Sequence, residues 1–347
     1  MQQKRHDKVI IKDFILREVE EHPSDIATLT ASNFGVSRVT ANRYLDKLVQ
    51  QGLLETTGKT KACRYTLRDL VQEKFSFPIT KDTEEYQVWQ QKIRPLLNGV
   101  KENVLDICLY GVTELVNNVI DHSDSKDCQI TVSRNARRIE IGIKDSGVGI
   151  FEKIRKECNL DDPHQALLEL SKGKLTTDPK DHTGEGIFFT SKMFDKFFLA
   201  SGKLSYSCAR RVGADGLLVS NESEEKNVLG TTIVLNIGVD ATHTSKEVFD
   251  QYTDDEYRFS RTVVAVRLMQ YGEEQLISRS QAKRLLARFE NFAEVVLDFD
   301  GIQEIGRAFT DEIFRVFQNA HPKIKITVIN TTPEIDKIIQ SMGGQQL

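Results

Sequence analysis

The stretch Glu114-Leu115-Val116-Asn117-Asn118-Val119-Ile120-Asp121 decides the expected fold of the central part of the chain. In a helix, Glu114, Asn118 and Asp121 share one face because they stand at positions i, i+4 and i+7, and apolar side chains cover the other face. An acid, an amide and a second acid in one line are poor core material, but they suit a divalent cation with a bound water. A solvated helix face is the alternative interpretation.

A glycine-containing turn follows this helix after a predicted strand. Residues 145–150 read DSGVGI. Gly147 and Gly149 allow the backbone to approach a flat ligand, and Asp145 can accept a hydrogen bond from an exocyclic amine. By itself, such a turn is more often an ordinary strand end than a nucleotide site.

Two further glycine stretches follow in order. Residues 184–187 (GEGI) come after a polar stretch and open a predicted helix, so that Gly184 and Gly186 can offer backbone N–H groups to phosphates. Residues 230–232 (GTT) open a strand. A lone GxG is weak support for a nucleotide site, but the order and spacing of all four stretches together are a specific pattern.

In this order, the four stretches resemble the GHKL ATPase family, which includes gyrase-type topoisomerases, histidine kinases and anti-sigma-factor serine kinases. The resemblance covers about residues 85–240. It implies a Bergerat α/β sandwich that binds ATP and Mg²⁺, within a central domain expected over residues 76–245. The implied site comprises Glu114 as general base, Asn118 as Mg²⁺ ligand, Asp121 beside it as a further cofactor-binding residue, Asp145 as the adenine-reading acid, Gly147 and Gly149 as the first glycine box, Gly184 and Gly186 as the second, preceded by a lid, and Thr231 behind the adenine.

Several relatives are disfavoured by what the sequence lacks. No P-loop GxxxxGK[ST] occurs, which excludes Walker-type ATPases by their own motif. The predicted helical run 84–97 contains no histidine, which disfavours a histidine kinase acting in cis. The short lid and the lack of a long transducer region disfavour topoisomerase and mismatch-repair roles.

A basic block marks the N-terminal segment, residues 1–75. Residues 36–68 carry seven Lys or Arg and two acids, in a chain whose net charge is −4. One apolar helical stripe runs from Ala41 to Val49, and Ser37 is placed to cap that helix. Helix, turn, basic helix and basic hairpin resemble the winged helix-turn-helix of bacterial regulators, which binds double-stranded DNA. The residues expected at the DNA are Ser37, Arg38, Thr40, Arg43, Lys47, Lys59, Lys61 and Arg64. A small helical dimerisation domain is the alternative.

The C-terminal segment, residues 257–347, follows a polar stretch at residues 240–256 that we expect to separate it from the centre. It alternates strand and helix patterns, which indicates a small α/β layer. Residues 295–314 resemble the STAS-like domain of unknown function found after GHKL modules. Related anti-sigma-factor antagonists are phosphorylated on a serine here, but this chain offers only Thr310, which we expect to be partly buried. A docking or dimerisation layer is the alternative.

Composition limits the remaining classes. Of 347 residues, 39% are hydrophobic and 28% charged, which suits several globular domains. The apolar runs are too short to span a membrane, and the N-terminus lacks a secretory signal. Five cysteines without CxxC spacing disfavour a disulfide framework or a zinc site and favour the cytoplasm.

The combined expectation is a multidomain α+β protein: an N-terminal winged helix, a central GHKL Bergerat sandwich and a C-terminal STAS-like layer. Its predicted function is transcriptional regulation, with DNA binding modulated by Mg-ATP. The alternative is an ATPase, or a Ser/Thr protein kinase of the anti-sigma-factor type, acting on a protein partner. We expect a homodimer, with the STAS-like domain available to a protein partner.

Overall fold

The computed structural model of the chain describes residues 2–58, 62–175, 184–210, 217–220, 223–270 and 274–342. Within these ranges the strands form a two-stranded, a six-stranded and a three-stranded sheet, with helices packed around them. No helix in the same ranges is long and apolar enough to cross a membrane. The result is a mixed α and β architecture.

The N-terminal segment has three helices and a small sheet with a hydrophobic core of its own. Its elements are α1 (Gln2–Glu18), α2 (Ile26–Phe34), α3 (Arg38–Gln50), β1 (Leu54–Thr57) and β2 (Arg64–Leu67). The predicted cap of α3 is confirmed, because the Ser37 hydroxyl oxygen accepts a hydrogen bond from the Thr40 N–H at 3.1 Å. Strands β1 and β2 pair antiparallel, as the predicted hairpin requires.

The central segment is a six-stranded sheet whose neighbouring strands are all antiparallel, in the order β3-β4-β5-β8-β6-β7. Its elements are β3 (Val71–Pro78), α4 (Glu85–Val88) with further helical turns Trp89–Ile93 and Arg94–Leu97, α5 (Glu102–His122), β4 (Asp127–Arg134), β5 (Arg138–Asp145), α6 (Ile150–Glu157), α7 (Pro163–Lys172), α8 (Gly186–Met193), β6 (Lys196–Arg210), β7 (Leu217–Ser220), β8 (Ser223–Gly238) and α9 (Ser245–Tyr252). Helix α5 buries one apolar face, as its sequence predicts. The expected domain boundary at residue 75 falls inside β3.

The C-terminal segment is a three-stranded parallel sheet in the order β11-β10-β9, with helices between the strands. Its elements are β9 (Arg261–Ala265) with a helical turn Val266–Met269, α10 (Arg279–Leu286), a turn Phe289–Asn291, β10 (Glu294–Asp298), α11 (Arg307–Asp311) with a wider turn Glu312–Phe317, α12 (Gln318–Ala320), β11 (Lys325–Ile329) and α13 (Pro333–Ser341). Its three strands overlap the short apolar runs 263–266, 295–299 and 324–329 of the sequence, so the expected alternation of strands and helices is present. Thr310 is fully buried, and its hydroxyl donates to the Gly306 carbonyl at 3.0 Å, so the expected burial of this hydroxyl is confirmed.

The polar stretch expected to separate the central and C-terminal segments is instead packed between them. It contains α9, which begins with a capping box formed by Thr244 and Glu247 and buries Val248 and Tyr252. The Tyr252 ring lies 5.1 Å from the Phe188 ring, which lies 4.6 Å from that of Phe259. One continuous hydrophobic core therefore runs through the central and C-terminal segments.

Lys192 of α8 is a buried cation at this junction. It lines a cavity of about 10 Å³, the size of one water, together with Tyr206, Val263 and Asp298. Burial lowers the pKa of Lys192 from 10.5 to about 8, and the nearby Asp298 and Cys208 offset part of that effect.

Lys192→Met should change how stability depends on pH. Because the pKa of Lys192 is lower in the folded than in the unfolded chain, the unfolded chain binds more protons between pH 8 and pH 10.5, and wild-type stability rises across that interval. The unfolding free energy of the variant minus that of wild type should therefore fall by about 2 kcal/mol between pH 7 and pH 10. Urea unfolding followed by the fluorescence of the single, buried Trp89 measures this difference.

Lys246→Met is the matched control. Lys246 is an exposed lysine of α9, and its pKa is raised by a hydrogen bond to Asp250, so its removal should produce no such fall. A Lys192→Met difference that stayed constant from pH 7 to pH 10 would contradict the burial of an ionisable amine at this junction.

Candidate functional site

The stretches singled out in the sequence meet at a cavity of about 350 Å³ between α5 and the six-stranded sheet. Its apolar walls include Ile143 of β5, Ile233 of β8 and Ile154 of α6. The predicted site residues that line it are Glu114, Asn118, Asp145, Gly149, Gly184, Gly186 and Thr231. The volume is in the range of small-ligand sites, which are mostly apolar with a few convergent polar groups.

Asp145 provides a buried carboxylate where β5 ends. The residue is 3% exposed, and its Oδ1 accepts a hydrogen bond from the Gly147 N–H at 2.8 Å. Burial raises the pKa of Asp145, while hydrogen bonds from Gly147 and Thr231 act in the opposite direction. Such a group can accept a hydrogen bond from an amino or N–H group of a ligand that reaches this end of the cavity.

Two glycines allow the backbone to pass close to this carboxylate. Gly149 precedes α6 with φ +82°, and Gly230 precedes Thr231 with φ +69°. A Cβ on Gly230 would overlap the Asp145 main chain and lie 2.6 Å from its Oδ1. The Thr231 hydroxyl oxygen accepts a hydrogen bond from the Ile150 N–H at 3.1 Å, so β5, α6 and β8 are joined at one point.

Glu114 and Asn118 occupy the α5 side of the cavity, one helical turn apart, and both are half-buried. The Gly186 backbone, at the start of α8, packs directly on Glu114, because a Cβ at Gly186 would overlap the Glu114 Oε2 atom. An acid, an amide and a helix start therefore line the same part of the cavity. These groups can bind a cation and the anionic part of a ligand.

The segment between Leu175 and Gly184 contains most of the predicted lid, and residues 176–183 lie outside the described residues. The ends of that segment are close together. The Leu175 N–H donates to the Gly184 carbonyl at 3.2 Å, and both residues line the cavity.

Two predicted site residues lie elsewhere. Asp121 is exposed and is not among the residues that line the cavity, so the structure does not bring it together with Glu114 and Asn118. Gly147 holds Asp145 through its N–H but lines a larger, neighbouring cleft of about 1270 Å³. This cleft lies between the sheet and the C-terminal segment, and includes exposed side chains such as Lys203 and Leu229.

The sequence also missed several polar residues that line the cavity, among them His122 and Lys153. Lys153 of α6 donates from Nζ to the His122 carbonyl at 2.7 Å, which fixes α6 against the end of α5. The spacing that joins Glu114 to Asn118 reaches His122 in its next step of four, so helical periodicity offered a signal for His122. Lys153 comes from another helix and offered no comparable signal.

The predicted DNA-contact residues lie on and near α3. Its apolar stripe is buried at Ala41, Leu45 and Leu48. Within the ranges that the structure describes, the basic side chains on its outer side and in β2 are exposed and form no ion pair; they are Arg38, Arg43, Lys47 and Arg64. Ser37 is exposed and Thr40 half-exposed, and their hydroxyls hydrogen-bond each other at 3.0 Å in the helix cap. Lys59 and Lys61 lie outside the described residues.

Comparison with known families bears on the C-terminal segment. Residues 281–336 match the family model of the STAS-like domain of unknown function (DUF4325). The match spans β10, α11 and β11 and confirms the STAS-like prediction for this segment. No match was found among curated proteins.

Proposed function

We propose that the protein binds ATP with Mg²⁺ in the cavity between α5 and the sheet, and that nucleotide occupancy modulates binding of double-stranded DNA by the N-terminal segment. The observation that carries the proposal is the buried Asp145 carboxylate, which closes one end of an apolar cavity whose α5 side holds Asn118 and Glu114. Three of the four GHKL-like stretches contribute several lining residues, and the fourth contributes Thr231. This convergence supports the resemblance to a GHKL sandwich.

The residues present fit such a ligand. Asp145 is placed to accept a hydrogen bond from the exocyclic amine of adenine, and the isoleucines of β5 and β8 offer apolar contacts to the faces of the ring. The side-chain oxygen of Asn118 is a suitable Mg²⁺ ligand, and bound Mg²⁺ would neutralise phosphate charge. Gly184 and Gly186 line the cavity at the start of α8 and carry no side chains, so backbone N–H groups there can hydrogen-bond phosphate oxygens.

The exposed basic groups of α3 and β2 support DNA binding. A helix whose buried side is apolar and whose outer side is basic, followed by a basic two-stranded sheet, suits the major groove and its flanking phosphates. Val39 is 63% exposed among these polar groups and offers an apolar contact for a thymine methyl. We further propose that the protein is a cytoplasmic, homodimeric regulator. Its nucleotide cavity and the basic groups of α3 and β2 suit a regulator, and its STAS-like C-terminal segment is available to a protein partner.

The second candidate function is an ATPase or a Ser/Thr kinase of the anti-sigma-factor type. The observation that favours it is the Glu114 carboxylate in the same cavity as Asn118, where a general base would stand. The buried, hydrogen-bonded Thr310 does not suit a phosphoacceptor within this chain. A kinase would therefore act on another protein.

Asp145→Asn should weaken ATP binding at least about tenfold, which corresponds to roughly 1.4 kcal/mol, because the amide replaces a charged acceptor of the same shape. Isothermal titration of the full chain with Mg-ATP and Mg-GTP measures this effect, and wild type should prefer ATP. Asp121→Asn, an exposed change on α5, is the control and should bind as wild type does. Equal ATP affinity in wild type and Asp145→Asn would contradict the proposed site.

Glu114→Ala separates turnover from binding. If the protein is an enzyme, this variant should lose phosphate release and phosphoprotein formation while still binding ATP, because a base is removed and the adenine end is untouched. Phosphate release and labelled-phosphate transfer, each measured with and without DNA, provide the readout. If wild type releases no phosphate and forms no phosphoprotein, the enzyme function is ruled out and only nucleotide binding is left.

Arg43→Gln and Lys47→Gln should each weaken DNA binding and reduce its salt dependence by about one unit of slope, since each removes one phosphate contact. The measurement is the affinity for a mixed-sequence duplex over a range of salt, with Lys246→Gln as an exposed control far along the chain. An unchanged slope in both variants would contradict the DNA interface.

The coupling between nucleotide and DNA binding is tested by repeating the DNA titration of wild type with Mg-ATP, with Mg-ADP and without nucleotide. Equal DNA affinities under the three conditions would overturn the proposed coupling.

A further inference from the structure

Helix α7 and the three residues after it contact the cavity on one side and the C-terminal segment on the other. Leu170 and Leu175 line the cavity, and the Leu175 N–H reaches the Gly184 carbonyl. The charged side chains of the same stretch make polar contacts with one another and with the C-terminal segment; they are Glu169, Lys172 and Lys174. The same short stretch is therefore both a wall of the cavity and an attachment point for the STAS-like segment.

The centre of the attachment is the Lys172 side chain, which is 0% exposed. Its ammonium group lies 2.6 Å from the Glu169 Oε1 atom and donates to the Ala287 and Arg284 carbonyls at 2.9 and 3.3 Å. These carbonyls stand at the C-terminal end of α10, where a cation is favoured by the unpaired carbonyl groups and the helix dipole. The Phe289 ring lies 5.4 Å from the same nitrogen.

Neighbouring contacts hold the backbone on either side. The second Glu169 oxygen receives the Arg288 guanidinium at 2.9 Å, and another Arg288 nitrogen donates to the Gly173 carbonyl. The hydroxyl of buried Thr262 in β9 donates to the Lys172 carbonyl at 2.8 Å. The Lys174 ammonium group donates to the Asn291 carbonyl at 2.7 Å.

Gly173 fixes the path between the two lysines. Its φ is +79°, and a Cβ there would lie 2.6 Å from the Phe259 ring. The backbone that leads from α7 to the cavity wall is therefore pressed against an aromatic side chain from the C-terminal side of the junction.

We propose that Lys172 is a positioning residue for the cavity, through which attachment of the STAS-like segment and binding of a nucleotide are coupled. The proposal rests on the proposed nucleotide function. A buried ammonium requires its partners, because a desolvated charge left without them is costly. If the end of α10 moves away, Lys172 loses both carbonyl acceptors and Glu169 loses Arg288. The attachment therefore favours two discrete arrangements, with the end of α10 in place or displaced, and we infer that the first holds Leu170 and Leu175 at the cavity.

Coupling of this kind is reciprocal. If docking of the STAS-like segment favours nucleotide binding, a bound nucleotide must favour docking by the same factor. A merely structural role for Lys172 would lower stability without producing this second effect. The reciprocal effect is therefore the decisive readout.

The test uses the full-length chain with Mg-ADP as the probe. Lys172→Met removes the charge and retains the length of the side chain, and Lys174→Gln is a milder, half-buried change that tests the same attachment if Lys172→Met does not fold. Lys246→Met, which removes an exposed ion pair on α9, is the control. Affinity is measured by titration, and amide hydrogen exchange over residues 279–298 is measured with and without Mg-ADP.

In wild type and in the control, Mg-ADP should slow exchange over residues 279–298. In Lys172→Met and Lys174→Gln the Mg-ADP affinity should fall about fivefold or more, and the nucleotide should no longer slow exchange there. Unchanged affinity and unchanged protection in the folded variants would overturn the coupling while leaving nucleotide binding intact. Wild type that binds no Mg-ADP would overturn the proposed function and this inference with it.

Discussion

A single buried carboxylate organises the centre of this protein. Placing Asp145 away from water is costly unless its oxygens are hydrogen-bonded, and the Gly147 and Thr231 groups supply those bonds. Each bond constrains another element: the Gly147 bond sets the turn after β5, and Thr231 also accepts from Ile150 at the start of α6. Gly230 has no side chain because the Asp145 main chain occupies that space. The DSGVGI and GTT stretches therefore form one arrangement, although the hydrogen-bonded Ile150 and Thr231 are 81 positions apart in the sequence.

Local patterns were sufficient to predict much of the fold. Helical spacing indicated α3 and α5, and Ser37 indicated where α3 begins, because a cap and an apolar stripe depend on neighbours within one or two turns. The strands β9, β10 and β11 lie within about two residues of the short apolar runs 263–266, 295–299 and 324–329, because such runs alternating with helices leave few other arrangements. The meeting of Glu114, Asn118 and Asp145 at one cavity also followed from the order of motifs, through the family resemblance.

The features that could not be predicted from the sequence depend mostly on contacts between residues that are distant along the chain. Asp121 continues the polar line of α5 but is exposed and does not line the cavity, whereas the next residue, His122, does. Helix α9 was overlooked because the stretch is polar, although the Thr244 and Glu247 capping pair was present to indicate it. The cluster of Glu169, Lys172 and Arg288 joins charges 119 positions apart in the sequence, and no local pattern distinguishes them from solvated surface charges.

The attachment of the N-terminal segment is of a different physical kind. Its core is separate, and its ion pairs to the β4–β5 turn, Arg137 with Asp13 and Arg138 with Glu20, are exposed and contribute little free energy. What restricts it is a connection of only three residues between β2 and β3, hydrogen-bonded on both sides: the Arg68 N–H donates to Leu53 and the Leu70 N–H to Arg134. Strand β5 begins at Arg138, beside α1, and ends at Asp145, a span of about 23 Å along one hydrogen-bonded strand. The N-terminal segment is therefore held beside the start of β5 by a short, hydrogen-bonded connection and by weak surface ion pairs, and not by a shared hydrophobic core.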